Sequence, residues 1–346
     1  MTDRFLNLGA LITVAAVVLW VQAPVAGQTP RTPWGDPDLQ GVYTFATTTP
    51  MERPEALADQ ESYSEAELTE LEARAAAANL IPDRPAEGAR VPGGYDRIWT
   101  AGERGLPSNR TSLVVDPPNG RIPPLIPEGQ RVLTEREAEI ESRQVSRIGG
   151  DGQPTQDTVY NIWTDLSAYH RCQARAIPRT WQAYNNGVQI LQTPGYVVLH
   201  YESMHDARII PLDSRAALDG NIRQWNGSSR GHWEGDTLVV QMTNFTDALT
   251  TFPLRAGPTE SLFPMGDMEI VERFTKIDEN TIEYEVTVND PTTWIQPWTF
   301  VIPWRSDDEM YQRPEHLYEF ACHEGNYRMM EDALKGSLRL LEQAPD

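Results

Sequence analysis

The chain of 346 residues contains only two cysteines, Cys172 and Cys322, and six histidines. No run of Lys and Arg occurs, and the formal net charge is −21. A surface this acidic repels nucleic acid and anionic lipid, so neither is an expected partner. No GxGxxG and no P-loop is present, which leaves a nucleotide cofactor without a cradle, and no cofactor is expected. The close spacing of HExxH is missing, neither cysteine has a CxxC partner, and no DxDxDG loop offers calcium ligands, so no metal site is expected. Past the first turns of the chain, no stretch is long and apolar enough to span a bilayer, and no internal repeat or low-complexity segment occurs.

What is present begins at the N-terminus. MTDRFLNLGALITVAAVVLWVQAPVAG sets Arg4 ahead of an apolar run, Leu8–Val21, and closes on Val25-Ala26-Gly27. The run is about 14 residues, short of the roughly 20 that cross a bilayer as a helix. Small residues three and one positions before a cut suit signal peptidase, so residues 1–27 read as a secretory signal peptide cleaved after Gly27. Asp3 and Arg4 cancel, and the mature chain keeps its charge of −21. The expectation is a periplasmic or secreted protein with no membrane span after cleavage. In an oxidising compartment the pair favours a Cys172–Cys322 disulfide, the alternative being two separate buried thiols.

Residues 28–160 form a Pro-rich region expected to wrap or cover the rest, and residues 161–346 the main domain. Within the first, Val42–Phe45 reads as a short strand. Ser64 followed by Glu67 is a capping box opening a helix to about Asn79, and Thr134 followed by Glu137 repeats it for a helix ending at Gly149-Gly150. Arg110–Pro124, with its prolines, predicts an edge strand and an extended arm. In the second part, strand-like runs recur between turn residues: Val188–Gln192, Tyr196–Tyr201, Ala207–Leu212, Arg230–Glu234, Thr237–Thr243, Glu269–Lys276, Thr281–Asn289, Trp298–Trp304 and Leu317–Cys322. Ile282, Tyr284, Val286 and Val288 alternate with Glu283, Glu285, Thr287 and Asn289, so one face of that strand is apolar. The fold class is mainly β: an antiparallel meander closing into a lipocalin-like barrel, with a C-terminal helix over Met329–Leu341.

Several phrases carry a resemblance: RTSLVVDPPNGRIPPL, HDARIIPLD, RGHWEGDTLVV and ACHEGNY. Together they resemble a large family of exported bacterial proteins of unassigned activity. The resemblance implies export and brings no functional residues. Gly41-Val42-Tyr43 is similar to the Gly-x-Trp strand that opens lipocalin-like barrels, with Tyr43 in place of the Trp; this is an analogy of shape.

Polar residues crowd into the strands, where apolar ones would pack better. Acid–base chemistry near neutral pH needs a group such as His, oriented by a carboxylate. His205 with Asp206, His232 with Glu234, and His323 with Glu324 supply those types, and Arg208 is suited to hold a carboxylate or a developing negative charge. His200, Glu202 and Asn326 are further polar candidates. Trp181, Tyr184, Trp225, Trp233, Trp294, Trp298 and Trp304 lie in or beside the strands, either lining a mouth or filling the core. Of these, Trp225, Trp233 and Trp298 are taken as ligand contacts. Ser228 and Ser229 in Gly227–Gly231 read as turn chemistry.

Three functions fit these residues. The first is an exported β-barrel that binds a small apolar or aromatic molecule in a polar, aromatic-lined cavity. The second is a cofactor-independent lyase, isomerase or hydrolase. The third is an envelope interaction protein with no small ligand.

Overall fold

The computed structural model describes residues 30–79, 105, 107–142, 144–148, 154–158, 171–173, 177–180, 185–216, 218–246, 268–306, 317, 319–322, 331, 334–336, 338, 339 and 342. The N-terminal segment expected to be a signal peptide, Trp181, Tyr184, His323, Glu324 and Asn326 lie outside them.

The elements, in chain order, are β1 (Gly41–Thr44), α1 (Glu65–Asn79), β2 (Val114–Asp116), α2 (Pro127–Ser142), β3 (Gln144–Ile148), β4 (Pro154–Thr158), β5 (Gly187–Thr193), β6 (Tyr196–Tyr201), β7 (Ala207–Pro211), β8 (Ser228–Glu234), β9 (Thr237–Thr243), β10 (Glu269–Lys276), β11 (Thr281–Asn289) and β12 (Trp298–Arg305). All but β3 and β4 join one ten-stranded sheet ordered β7-β6-β5-β1-β12-β11-β10-β9-β8, with β2 also paired to β12. Among the described residues no helix is long and apolar enough to cross a membrane.

Local sequence explains the hairpins. Thr193 pairs with Tyr196 and Glu234 with Thr237, leaving Pro194-Gly195 and Gly235-Asp236 as two-residue turns. Gly195 and Gly235 take φ of +82° and +62°, the left-handed region a side chain disfavours. Along β11, Ile282, Tyr284, Val286 and Val288 are buried, as alternation requires.

The sheet is not one continuous meander. Two meanders, β5–β7 and β8–β12, are stitched together by β1, which pairs with β5 on one side and with β12 at Thr44–Arg305 on the other. β1 and β2 share the edge of β12 that β11 leaves free. The Pro-rich region therefore contributes strands to the main sheet. It is pinned there by side chains: Gln192 on β5 accepts the Leu39 N–H at 2.7 Å and donates to the Pro37 carbonyl at 3.0 Å. Buried Arg53 donates to Thr111 Oγ1 and the Pro118 carbonyl, each at 3.1 Å.

The strand pairing bears out the antiparallel, mainly β sheet and does not show the expected barrel closure. Among the described residues no ladder joins the end strands β7 and β8, so the sheet is open by hydrogen bonding. Side chains fill the seam instead. Arg208 Nε on β7 donates to Ser229 Oγ on β8 at 2.8 Å. A Cβ built on Gly231 of β8 would come within 2.8 Å of Ile210 and Leu212 side-chain carbons. The sheet thus curls until its two ends meet, with Phe45, Tyr201, Phe274, Tyr284, Trp298, Phe300 and Trp304 packed inside.

Three local expectations are corrected. α2 begins at Pro127, where the missing N–H costs nothing and φ is already helical, so Thr134 and Glu137 lie within the helix instead of capping it. It ends at Ser142, and β3 follows. Leu317 and Glu319–Cys322 are not in a strand. The Ser64–Glu67 box is formed: the Glu67 carboxylate accepts the Ser64 N–H at 2.8 Å, and Ser64 Oγ accepts the Glu67 N–H at 3.3 Å. The described residues between 331 and 342 are helical.

Candidate functional site

A buried polar centre lies where β6, β7, β8, β10 and β11 face the interior. It starts with alternation. Leu199 and Tyr201 on β6, and Arg208 and Ile210 on β7, point inward, and the register pairs Leu199 with Arg208. Tyr201 is therefore the diagonal neighbour of Arg208 on the same face. On β10, Glu272 sits between Ile270 and Phe274 on the buried face. Curling brings Glu272 to Arg208, and the two form an ion pair whose side chains are 0% and 5% exposed. The Tyr284 hydroxyl of β11 donates to the other Glu272 oxygen.

A second pair caps the first. β6 ends at Tyr201, and Glu202 turns helical, which buries it; its Oε2 accepts the Gly187 N–H at 3.2 Å. Met204 and His205 follow at φ of +67° and +49° and return the chain into β7. This strained turn holds Asp206 over the sheet end. Arg179 Nη2 donates to Asp206 Oδ2 at 2.7 Å, and Asn226 Nδ2 donates to the same oxygen at 2.8 Å. The Arg179 side chain is 1% exposed, and its guanidinium lies 4.8 Å from the centre of the Tyr201 ring. Tyr201 thus stands between two buried cations.

The electrostatics follow from burial. Desolvation alone would disfavour the Arg208 cation, but the Glu272 carboxylate beside it prevails and holds that guanidinium protonated more firmly than usual. For Arg179 burial wins over Asp206, and its pKa falls. Burial pushes both phenols up, Tyr201 against the opposing pull of Arg208, and Tyr284 with added repulsion from Glu272.

Several polar atoms of this centre have no partner among the described residues: Arg179 Nε and Nη1, Arg208 Nη1, the Tyr201 hydroxyl, Ser203 Oγ and Asn226 Oδ1. Buried groups are nearly always paired, and leaving one unpaired costs roughly 1–3 kcal/mol. Orphans concentrated on neighbouring residues make this the strongest candidate site in the chain. Beneath it lie the rings of Phe45, Trp304 and Tyr284, with Tyr284 and Trp304 4.5 Å apart.

The sequence-derived candidates distribute unevenly around the centre. Arg208 and Asp206 are members, and Glu202 is buried next to Tyr201. His205 is on the rim, exposed, its ring 6.4 Å from that of Phe320. Trp225 is exposed beside Asn226, with the Arg171 guanidinium 6.0 Å from its ring. The disulfide Cys172–Cys322 is formed and joins segments that both border this rim. His232 and Glu234 lie elsewhere, on the outer face of β8. They are 3.1 Å apart and about half exposed, and Arg273 donates to Glu234 at 2.9 Å. That guanidinium, then His232, holds the Glu234 carboxyl below its usual range. His200 is on the outer face of β6. Trp233 is partly buried against the core, and Trp298 is fully buried between Trp294 and Phe300. Trp298 sits at the opposite end of β12 from Trp304, roughly 20 Å away at the rise of a strand.

Arg179, Tyr201, Asn226, Ser229, Glu272 and Tyr284 were missed. Two had a signal. Glu272 interrupts the apolar face of an alternating strand, which announces a buried charge in need of a partner. Ser229 is the serine of Gly227-Ser228-Ser229-Arg230-Gly231, which spells GxSxG. The nucleophile-elbow reading of that pattern needs a strand-to-helix turn, whereas Ser229 lies within a strand that hairpins into β9, and its hydroxyl accepts from Arg208. Among the described residues no three His, Cys, Asp or Glu side chains are grouped to share an ion. No family model, curated protein or solved structure matches the chain.

Proposed function

We propose that this is an exported small-molecule-binding protein whose ligand is held inside the curled sheet, at the centre formed by Arg179, Tyr201, Asp206, Arg208 and Glu272. The observation that carries the reading is the group of orphaned buried atoms on Arg179, Tyr201, Ser203, Arg208 and Asn226. A fold that needed only stability would fill such a position with apolar side chains, since a half-satisfied polar network is worse than an apolar core. A ligand that supplies the missing partners repays that cost. In this reading the rolled sheet works as a barrel, its seam sealed by Arg208, Ser229 and the Ile210–Gly231 contact. The N-terminal segment, read as a signal peptide, and the resemblance to exported proteins support a periplasmic or extracellular location. Turnover keeps support from one described histidine, His205, at the rim of this centre next to Asp206.

The test is direct. Protein purified from its native host under mild conditions is denatured, and released small molecules are identified by mass spectrometry. A stoichiometric molecule that rebinds and raises the melting temperature supports the reading. Arg208→Met should abolish rebinding; unchanged rebinding by a folded variant would remove the site from this centre.

A further inference from the structure

Resting on that reading, we infer that the ligand is anchored by a carboxylate, held between Arg179 and Arg208 and hydrogen-bonded by the Tyr201 hydroxyl, on a molecule with an aromatic body.

The orphans are almost all donors. Arg179 keeps its Nε and Nη1 groups unused after giving Nη2 to Asp206, and Arg208 keeps Nη1 after giving Nε to Ser229 and Nη2 to Glu272. Guanidinium nitrogens carry only N–H and never accept. Tyr201 adds a hydroxyl, and its raised pKa keeps the proton available to donate. A partner for this set must be rich in acceptor lone pairs and poor in hydrogens of its own. A carboxylate offers about four acceptor sites on two oxygens and forms charge-assisted bonds roughly twice as strong as neutral ones. The two cations are already matched by Asp206 and Glu272, so the site is not a bare positive trap. Asp206 and Glu272 each take one N–H of their guanidinium, and the remaining buried N–H groups have no partner among the described residues. That arrangement suits a small anion of fixed geometry.

The surroundings select the body. The Tyr201 ring itself borders the anchor, stacked under Arg179. Trp225, at 37% exposure, and Phe320 with His205 form the rim. An aromatic ring beside the anchor and further rings at the rim favour an aromatic acid over an aliphatic or sugar acid.

The experiment uses the oxidised mature chain and calorimetric titration with four probes: phenylacetate, cinnamate, phenylacetamide and inorganic phosphate. The inference predicts that an aromatic acid binds at least about ten-fold tighter than phenylacetamide, and that phosphate binds weakly, because it lacks the body. Tyr201→Phe should keep the fold, since it deletes a buried hydroxyl that has no described partner. It should also weaken the acid by about ten-fold or more. Arg179→Lys should do likewise, because a point charge does not replace the planar fork. A purely structural role for Tyr201 predicts a more stable Tyr201→Phe variant with acid binding unchanged, and that result would overturn the anchor. Equal affinity for acid and amide, or a neutral molecule released from native protein, would overturn the carboxylate while leaving small-molecule binding intact. Failure of every probe, with nothing released from native protein, would overturn both.

Discussion

At the level of single residues the molecule is governed by charges taken out of water. Arg208 and Glu272 are each almost fully buried and form an ion pair, with Arg208 Nη1 left over. Such a pair is weak support for stability, because desolvation offsets much of the attraction, but removing one member strands the other. Glu272→Ala is therefore expected to destabilise the fold by about 3–5 kcal/mol, read from urea unfolding. A loss below about 1 kcal/mol would mean that water reaches Arg208. The buried phenols set the alkaline limit. The Tyr201 and Tyr284 pKa values are raised by burial above their ordinary value of 10.0. Below pH 10 both folded and unfolded states keep these protons. Above it the unfolded chain loses them first, so stability falls as pH rises past 10. Urea midpoints at pH 8, 10 and 11 should be flat and then drop, and Tyr284→Phe should flatten the drop. An unchanged slope in that variant would contradict the assignment.

At the level of elements, the strands are local and their meeting is not. β10 and β11 alternate cleanly, and their inward side chains are the core. The seam between β7 and β8 has no ladder, and its closeness depends on a missing side chain. Gly231 lies where a Cβ would stand 2.8 Å from Ile210 and Leu212 carbons. Leu212 Cδ2 is the end of a flexible side chain, but Ile210 Cγ2 is a methyl on a stiff β-branched carbon of a buried residue, so Gly231→Ala should already cost some stability. Gly231→Leu should wedge the seam and cost about 1–3 kcal/mol, the usual range for overpacking. Hydrogen exchange in β7 and β8 should rise together in that variant, while the β5–β6 hairpin stays protected. Exchange confined to β8 would mean that the seam does not hold the ends together.

At the level of the whole molecule, one covalent tie holds the rim. Cys172 and Cys322 are 150 residues apart in sequence. Closing a loop of that length restricts the unfolded chain by up to roughly 5 kcal/mol in the loop-entropy model. Both bridged segments border the polar centre: Arg171 approaches Trp225, and Phe320 packs on His205. Reduction is expected to lower the urea midpoint and, at denaturant-free conditions where the fold persists, to weaken ligand binding. Equal midpoints with and without reductant would separate the bridge from the fold.

How much of this was readable from residues alone depends on the distance over which each feature is decided. Most strands of the main sheet, the Pro194-Gly195 and Gly235-Asp236 turns, the Ser64 cap and the Cys172–Cys322 pairing were legible, whereas β3 and β4 were not and the expected Leu317–Cys322 strand is absent among the described residues; alternation, turn conformation and capping act on a few neighbouring residues. Arg208 and Asp206 were legible as candidates, because charged residues are conspicuous in strands. Their partners were not. Arg179, Tyr201, Glu272 and Tyr284 come from four separate segments and Asn226 with Ser229 from a fifth, and no spacing relates one segment to another. They meet only because β1 joins two meanders into one sheet, and because that sheet curls until β7 reaches β8. Alternation tells which face a side chain takes. Only the packed sheet, through its twist and the contacts of its interior, decides which faces meet, and so places His232 on the outside and Tyr201 between two arginines.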